Sequence, residues 1–382
     1  MLSRRDILKM SAAGLGVATT LINSASAEPN PTTNSGVGSL EQKSLKYKYK
    51  FSDSEKRILP GGWAREATVK QFPISEGVSG VDMTLEPGAL RELHWHAIAA
   101  EWAFMISGKA RITIIDPEGT SEVSDFGPGD VWYFPKGYGH SIQALDEGAH
   151  FILTFDNGHF SEFGTFSITD WISNTPLEVL SKSTNLPASI FSKARQGEAY
   201  IVSGRTPPAL PLPHNNGGKD DSKLKHHYPL MDEPAFFENE AGSVHIVSSK
   251  EFPVSTTITG AIEIIKPGAV RELHWHPNAN EWQYYISGKG RMTVFSSHGH
   301  AETEDFSETD VGYVPQGFGH YIENTGDEDL KVLVVLDNGV YEDISLSDWI
   351  AKSPTYLLAQ NFNTNEEDWH SRPRNKLVVS KG

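Results

Sequence analysis

One segment of this chain is written twice. Gly88-Ala89-Leu90-Arg91-Glu92-Leu93-His94-Trp95-His96 returns as Gly268-Ala269-Val270-Arg271-Glu272-Leu273-His274-Trp275-His276, 180 residues later. Glu101-Trp102, Ile106-Ser107-Gly108-Lys109 and the set Pro135, Gly137, Gly139, His140 all recur at the same offset, as does Phe72-Pro73 at Phe252-Pro253. A period this long is no solenoid repeat; it marks one domain duplicated. The copies are expected at 48–200 and 228–370. Between them, 201–227 holds Pro-Pro, Pro-Leu-Pro, Asn-Asn-Gly-Gly and Lys-Asp-Asp-Ser and reads as a linker. Residues 371–382 read as a frayed basic tail and 28–47 as a flexible segment.

Within each copy the pattern is strand-rich. Short apolar or alternating runs at 81–85, 102–106, 110–115, 131–134 and 151–155 are separated by Glu-Pro-Gly, Ser-Gly-Lys, Asp-Pro-Glu-Gly and Gly-Pro-Gly-Asp turns. That spacing predicts a mostly β chain, a sandwich or barrel in each half. Helices are expected to open near Thr169-Asp170-Trp171 and Ser347-Asp348-Trp349.

The histidines carry the chemistry. His94 and His96 are two apart on a strand, so both imidazoles face one side and Trp95 the other. Glu101 follows a tight connection and His140 arrives on a later strand. Three imidazoles and a carboxylate suit Mn or Fe in six-coordinate geometry with two positions left open. His274, His276, Glu281 and His320 supply the same set again. A lone buried histidine is usually a hydrogen-bonded core residue, but here six of the 15 histidines fall into two matching sets. The chain has no cysteine, which excludes thiolate metal sites and disulfides.

The first residues read as an address. Ser3-Arg4-Arg5-Asp6 is a twin-arginine sequence, Met10 to Ile22 is weakly apolar, and Ala25-Ser26-Ala27 is a small-residue cleavage pattern. The apolar stretch is shorter than the roughly 20 residues a membrane span needs, so no membrane anchor is expected. A leader occupying 1–27, cleaved after Ala27, implies the twin-arginine export machinery and a periplasmic or secreted protein. Its loss removes three positive charges and one negative, moving the net charge from −16 to −18. That balance argues against a nucleic-acid partner and requires a local positive site for any anionic substrate.

The pattern Gly-x5-His-x-His-x4-Glu-x6-Gly, met by Gly88, His94, His96, Glu101 and Gly108, resembles the first cupin motif. Gly129, Pro135, Gly137 and His140 resemble the second, and the duplication resembles a bicupin: two jelly-roll (double-stranded β-helix) barrels with flanking helices. Ala144 replaces a motif Asn in the first copy and Thr309 a motif Gly in the second. Among bicupins the Arg-Glu-Leu-His-Trp-His strings are similar to those of oxalate decarboxylases. The resemblance implies Mn2+, two per chain, with dioxygen as co-catalyst, conversion of oxalate to formate and carbon dioxide, and a homo-trimer or homo-hexamer. The family's lid, Ser-Glu-Asn-Ser-Thr, aligns with Ser161-Glu162-Phe163-Gly164-Thr165. Ser161, Glu162 and Thr165 match, which implies Glu162 as proton donor and acceptor, while Phe163 and Gly164 depart and keep an oxidase alternative open. Arg91 is three residues from His94 and would face away on a regular strand. The resemblance implies that the strand bends so that Arg91 binds substrate; Arg271 is its counterpart. The second copy lacks three residues where the lid lies, so chemistry is assigned mainly to the first. Alternatives are an oxalate oxidase yielding hydrogen peroxide, a dioxygenase acting on an aromatic or flavonoid substrate with Fe or Cu, and a non-catalytic manganese-storage bicupin.

Overall fold

The computed structural model describes residues 45–210 and 225–381. The leader, nearly all of the 28–47 segment and the middle of the linker lie outside them. Each half is a barrel of antiparallel strands, mostly β with short helices, as the turn spacing predicted. In the first half two strands, Glu101–Ile115 and Gly139–Phe155, run through the barrel corners and join both faces into an 11-stranded sheet. The expected runs at 102–106 and 110–115 are therefore one strand, bent where the pairing slips around Gly108. In the second half the same corner is broken at Gly288 (φ 86°), giving Glu281–Ser287 and Lys289–Phe295 in separate seven- and six-stranded sheets. Thr309, standing where the motif has Gly, keeps the turn by adopting φ 69°, against 94° at Gly129. The helices Ile168–Ser173 and Leu346–Lys352 begin slightly earlier than expected, because Ser167 and Ser345 cap them by accepting from the amides of Asp170 and Asp348.

Three segments depart from the sequence expectation. Residues at the end of the supposed flexible segment dock on the second half: the buried Tyr47 hydroxyl bonds the carbonyls of Met292 and Glu302, and Lys48–Lys50 pairs with Asp310–Val314. Both linker ends are also in sheets. Ile201–Val202 pairs with Leu90–Trp95, and His227–Tyr228 pairs with Val131–Phe134 of the first half. The C-terminal residues do not fray: Val378 and Val379 are buried and Val379–Ser380 pairs with Val270–Trp275. In each case the expectation rested on polar composition, whereas the segment is held by backbone pairing at a sheet edge.

The halves share a core. Trp102, Phe104, Tyr133 and Ile152 from one side meet Ile262, Trp282, Tyr313 and Val335 from the other. Trp282 lies against Gly80, and Trp102 against Gly260, so closely that a Cβ at either glycine would fall 2.4 or 2.1 Å from the indole.

Candidate metal centres

The motif strands Leu90–Trp95 and Val270–Trp275 each carry a pairing irregularity, between Arg91 and His94 and between Arg271 and His274. An extra residue in a strand re-aims the side chains beside it. Here it lets Arg91, His94 and His96 all turn inward, each buried, while Trp95 packs outside on Phe166 and Trp171. The bend required of this strand is thus present in both halves.

His94, His96, Glu101 and His140 converge with ligand atoms within 4.8 Å of one another, and so do His274, His276, Glu281 and His320. All eight side chains are buried. The donor chemistry fits a cation. The Nδ1 atoms of His94 and His140 donate to the carbonyls of Glu92 (2.6 Å) and Tyr138 (2.9 Å). Those of His274, His276 and His320 donate to Glu272, Glu342 and Phe318. A carbonyl can only accept, so these rings carry a proton on Nδ1 and turn Nε2 toward the centre. His94 Nε2 is buried with no hydrogen-bond partner, a cost that a metal ion at that point would remove. Burial, then the neighbouring Arg91, holds the His94 imidazole well below its ordinary pKa, and so neutral. Burial alone would raise the Glu101 carboxyl. The nearby imidazoles of His140 (3.4 Å) and His96 (2.9 Å) outweigh it and keep the group ionised, and His320 and His276 do the same at Glu281.

The surroundings of the two centres differ. At the first, Glu162 sits on the short turn Glu162–Gly164 and is 1% exposed. Its Oε1 accepts from Arg91 Nε at 2.7 Å, and its Oε2 lies 3.6 Å from His96 Nδ1. The other Arg91 nitrogens donate to Thr165 Oγ1 (2.6 Å) and the Tyr200 carbonyl (3.3 Å). Phe155 and Phe160 edge against His96 and wall the pocket. At the second centre, Arg271 donates to Glu263 Oε1 (2.8 Å), Asp343 Oδ2 (3.2 Å), the Tyr341 hydroxyl and the Val378 carbonyl. Sequence reasoning missed Glu263 and Asp343. The signal for Glu263 is a carboxylate inside the apolar run Thr259–Ile265, where the first copy has Met83.

The cupin family's profile matches residues 50–189 and 229–369. The chain is 46% identical to oxalate decarboxylase OxdC of Bacillus subtilis over 336 residues, 87% of each chain. It is 38% identical to a probable oxalate decarboxylase of Arthroderma benhamiae, over 83% of this chain and 78% of that one. A solved structure of the B. subtilis enzyme, from a study of its Mn(II) centres, superposes with a TM-score of 0.83 at 45% identity, covering 88% of this chain and 89% of that one. Duplicated barrels, two buried His/Glu centres and full-length likeness together place this chain in the bicupin oxalate decarboxylase family of the cupin superfamily.

Proposed function

We propose that this protein converts oxalate to formate and carbon dioxide at the first centre. The observation that carries the reading is Glu162. A carboxylate from a connecting loop is buried among the metal-ligating histidines, and it rests on the guanidinium that a substrate carboxylate would need. The ligand set suits a six-coordinate divalent ion, which we take to be manganese at both centres. When bound, the ion and dioxygen supply the one-electron chemistry that loosens the C–C bond.

The chain's own residues do the rest. Arg91 already spends two arms on Thr165 and the Tyr200 carbonyl, so its plane is fixed. Movement of Glu162 with its loop frees Nε for a substrate carboxylate, a charge-assisted contact. A divalent ion with Glu101 and Arg91 sums to +2, matching a dianion within an acidic protein. Hydrogen oxalate becomes formate and carbon dioxide when the C–C bond breaks and the formate carbon takes the proton. Glu162, returning as the loop closes, accepts that proton from the carboxyl and delivers it to carbon. Phe155 and Phe160, packed on each other and edge-on to His96, give that side of the site an apolar wall.

The test incubates metal-analysed protein with oxalate and follows formate and hydrogen peroxide together. Formate without peroxide is expected. Peroxide as the main product would move the assignment to the oxidase, and neither product would move it to storage.

Two further parts of the reading stand on sequence and surface. The twin-arginine leader supports export of the folded protein. A His/Glu site intrinsically favours Cu or Zn over Mn, so folding where those metals are scarce protects the manganese. Rerouting the chain through an unfolded-export leader should then lower its manganese content. Apolar side chains lie exposed beside both centres, Leu93, Phe166 and Trp171 on one half and Leu273, Ile344 and Trp349 on the other. They support burial in a homo-trimer or homo-hexamer, which light scattering would measure.

A further inference from the structure

The two arginines at the metal centres have different partners, and the partners differ in whether they can leave. Glu162 reaches Arg91 from the short turn Glu162–Gly164, in the connection between the strands ending at Phe155 and beginning at Phe166. Glu263 reaches Arg271 from the middle of strand Thr259–Ile265, paired on one side with Val244 and on the other with Val332. A residue laddered on both sides cannot swing out without breaking the sheet. Its counterpart in the first half is Met83, which faces the apolar core there. Asp343 adds a second carboxylate on Arg271 where the first half has the neutral Thr165 on Arg91.

The charges follow. With a divalent ion bound, Glu162 lowers the first centre from +2 to +1 only while its loop is closed. At the second, Glu281, Glu263 and Asp343 together cancel the ion and Arg271. Lys376, held on the other oxygen of Asp343, restores a single positive charge at the rim. The cavity that remains beside Arg271, Glu263, His276 and Tyr341 is about 10 Å³, room for no more than one water.

We propose that Glu263 is a built-in anion: it permanently fills the guanidinium of Arg271, helped by Asp343, so the second centre holds its metal but admits no dicarboxylate. Glu263 is thus a specificity-determining residue that confines substrate to one centre per chain. The inference rests on the oxalate reading above only for the choice of anion.

The test counts anions. Oxalate is titrated calorimetrically, without dioxygen, into the manganese-loaded full chain and into the Glu263→Met/Asp343→Thr variant, which installs the first centre's residues at the second. The manganese paramagnetic resonance spectrum is recorded at each end point. The wild type is expected to bind one oxalate per chain and to shift one of its two manganese signals. The double variant is expected to bind two and to shift both. Glu263→Gln keeps the shape, removes the charge, and should give the second site a measurable oxalate affinity that the wild type lacks, which decides the matter if the double variant fails to hold two metals. Two equivalent oxalates on the wild type would overturn the proposal, as would variants with two metals that gain none. A wild type that binds no oxalate would instead count against the proposed function, and the gain from wild type to variant would still judge Glu263.

Discussion

Glu101 and Glu281 offer one oxygen to their histidines and anchor the other, each with a different donor. Trp132 gives its indole N–H to Glu101 Oε1 at 2.8 Å, and Gln283 gives its amide to Glu281 Oε1 at 2.6 Å. The exchange is steric as well as polar. Where Trp132 stands in the first half, the second has Gly312, and a Cβ there would meet Gln283 Oε1 at 2.6 Å. Across from it the first half has Ala103. Removing the donor leaves a buried carboxylate oxygen unpaired. Trp132→Phe should therefore weaken metal binding at the first centre by about 10–100-fold and spare the second, as competition with a chelator would show. The lid carboxylate calls for a different outcome. Glu162→Gln preserves the shape of the turn and its contact with Arg91 but cannot accept a proton. Formate production should fall by about 100-fold or more, the scale of a lost general acid–base group, with two metals per chain still counted by elemental analysis. Full formate production in that variant would remove Glu162 from the mechanism.

At the scale of elements, each half closes its motif strand with a clasp. The carboxylate of Glu92 accepts from the amides of Ala199 and Tyr200, and that of Glu272 from Leu377 and Val378. Tyr200 (φ 58°) and Val378 (φ 59°) sit in the left-handed region, which bulky side chains avoid. That bend turns their carbonyls onto Arg91 and Arg271. Deleting residues 377–382 removes two charge-assisted hydrogen bonds, each about 1.5–3 kcal/mol, and exposes the strand that bears His274. The truncated chain should melt at least several degrees lower and lose metal from the second centre first, with the first retained. Little of this clasp was legible in the sequence. Tyr200 and Val378 share no side-chain chemistry, because the contacts run through backbone amides and carbonyls. The ligands were legible for the opposite reason. Their side chains do the work, so His94-x-His96 and its copy must keep type and spacing. The strand irregularity that turns Arg91 inward lies between: invisible to alternation, it came only from the resemblance to a known family. Glu263 left one trace, a charge in an apolar strand, which gains meaning once its register beside Arg271 is known.

For the whole molecule, duplication did not produce two independent units. The first half donates Lys48–Lys50 to the sheet of the second, and the segment leading into the second half donates His227–Tyr228 to the first. The shared core is nearly two-fold in its details: the Tyr133 hydroxyl meets Thr257 Oγ1 at 2.8 Å, and the Tyr313 hydroxyl accepts from the amide of Gly77 at 3.0 Å. Each half alone would expose Trp102 or Trp282, together with strand edges that its partner covers, a surface prone to association. The halves should accordingly unfold together, in one calorimetric transition. Gly260→Ala tests the coupling at its tightest point. The new methyl must displace the Trp102 ring, buried in the shared core with no room to turn. Overpacking of this kind costs about 1–3 kcal/mol. If the halves are coupled, the substitution lowers the single transition as a whole, even though Gly260 lies outside both ligand sets. Two transitions, with only one displaced, would show that each barrel is stable by itself and that the exchanged strands are ornament to its folding.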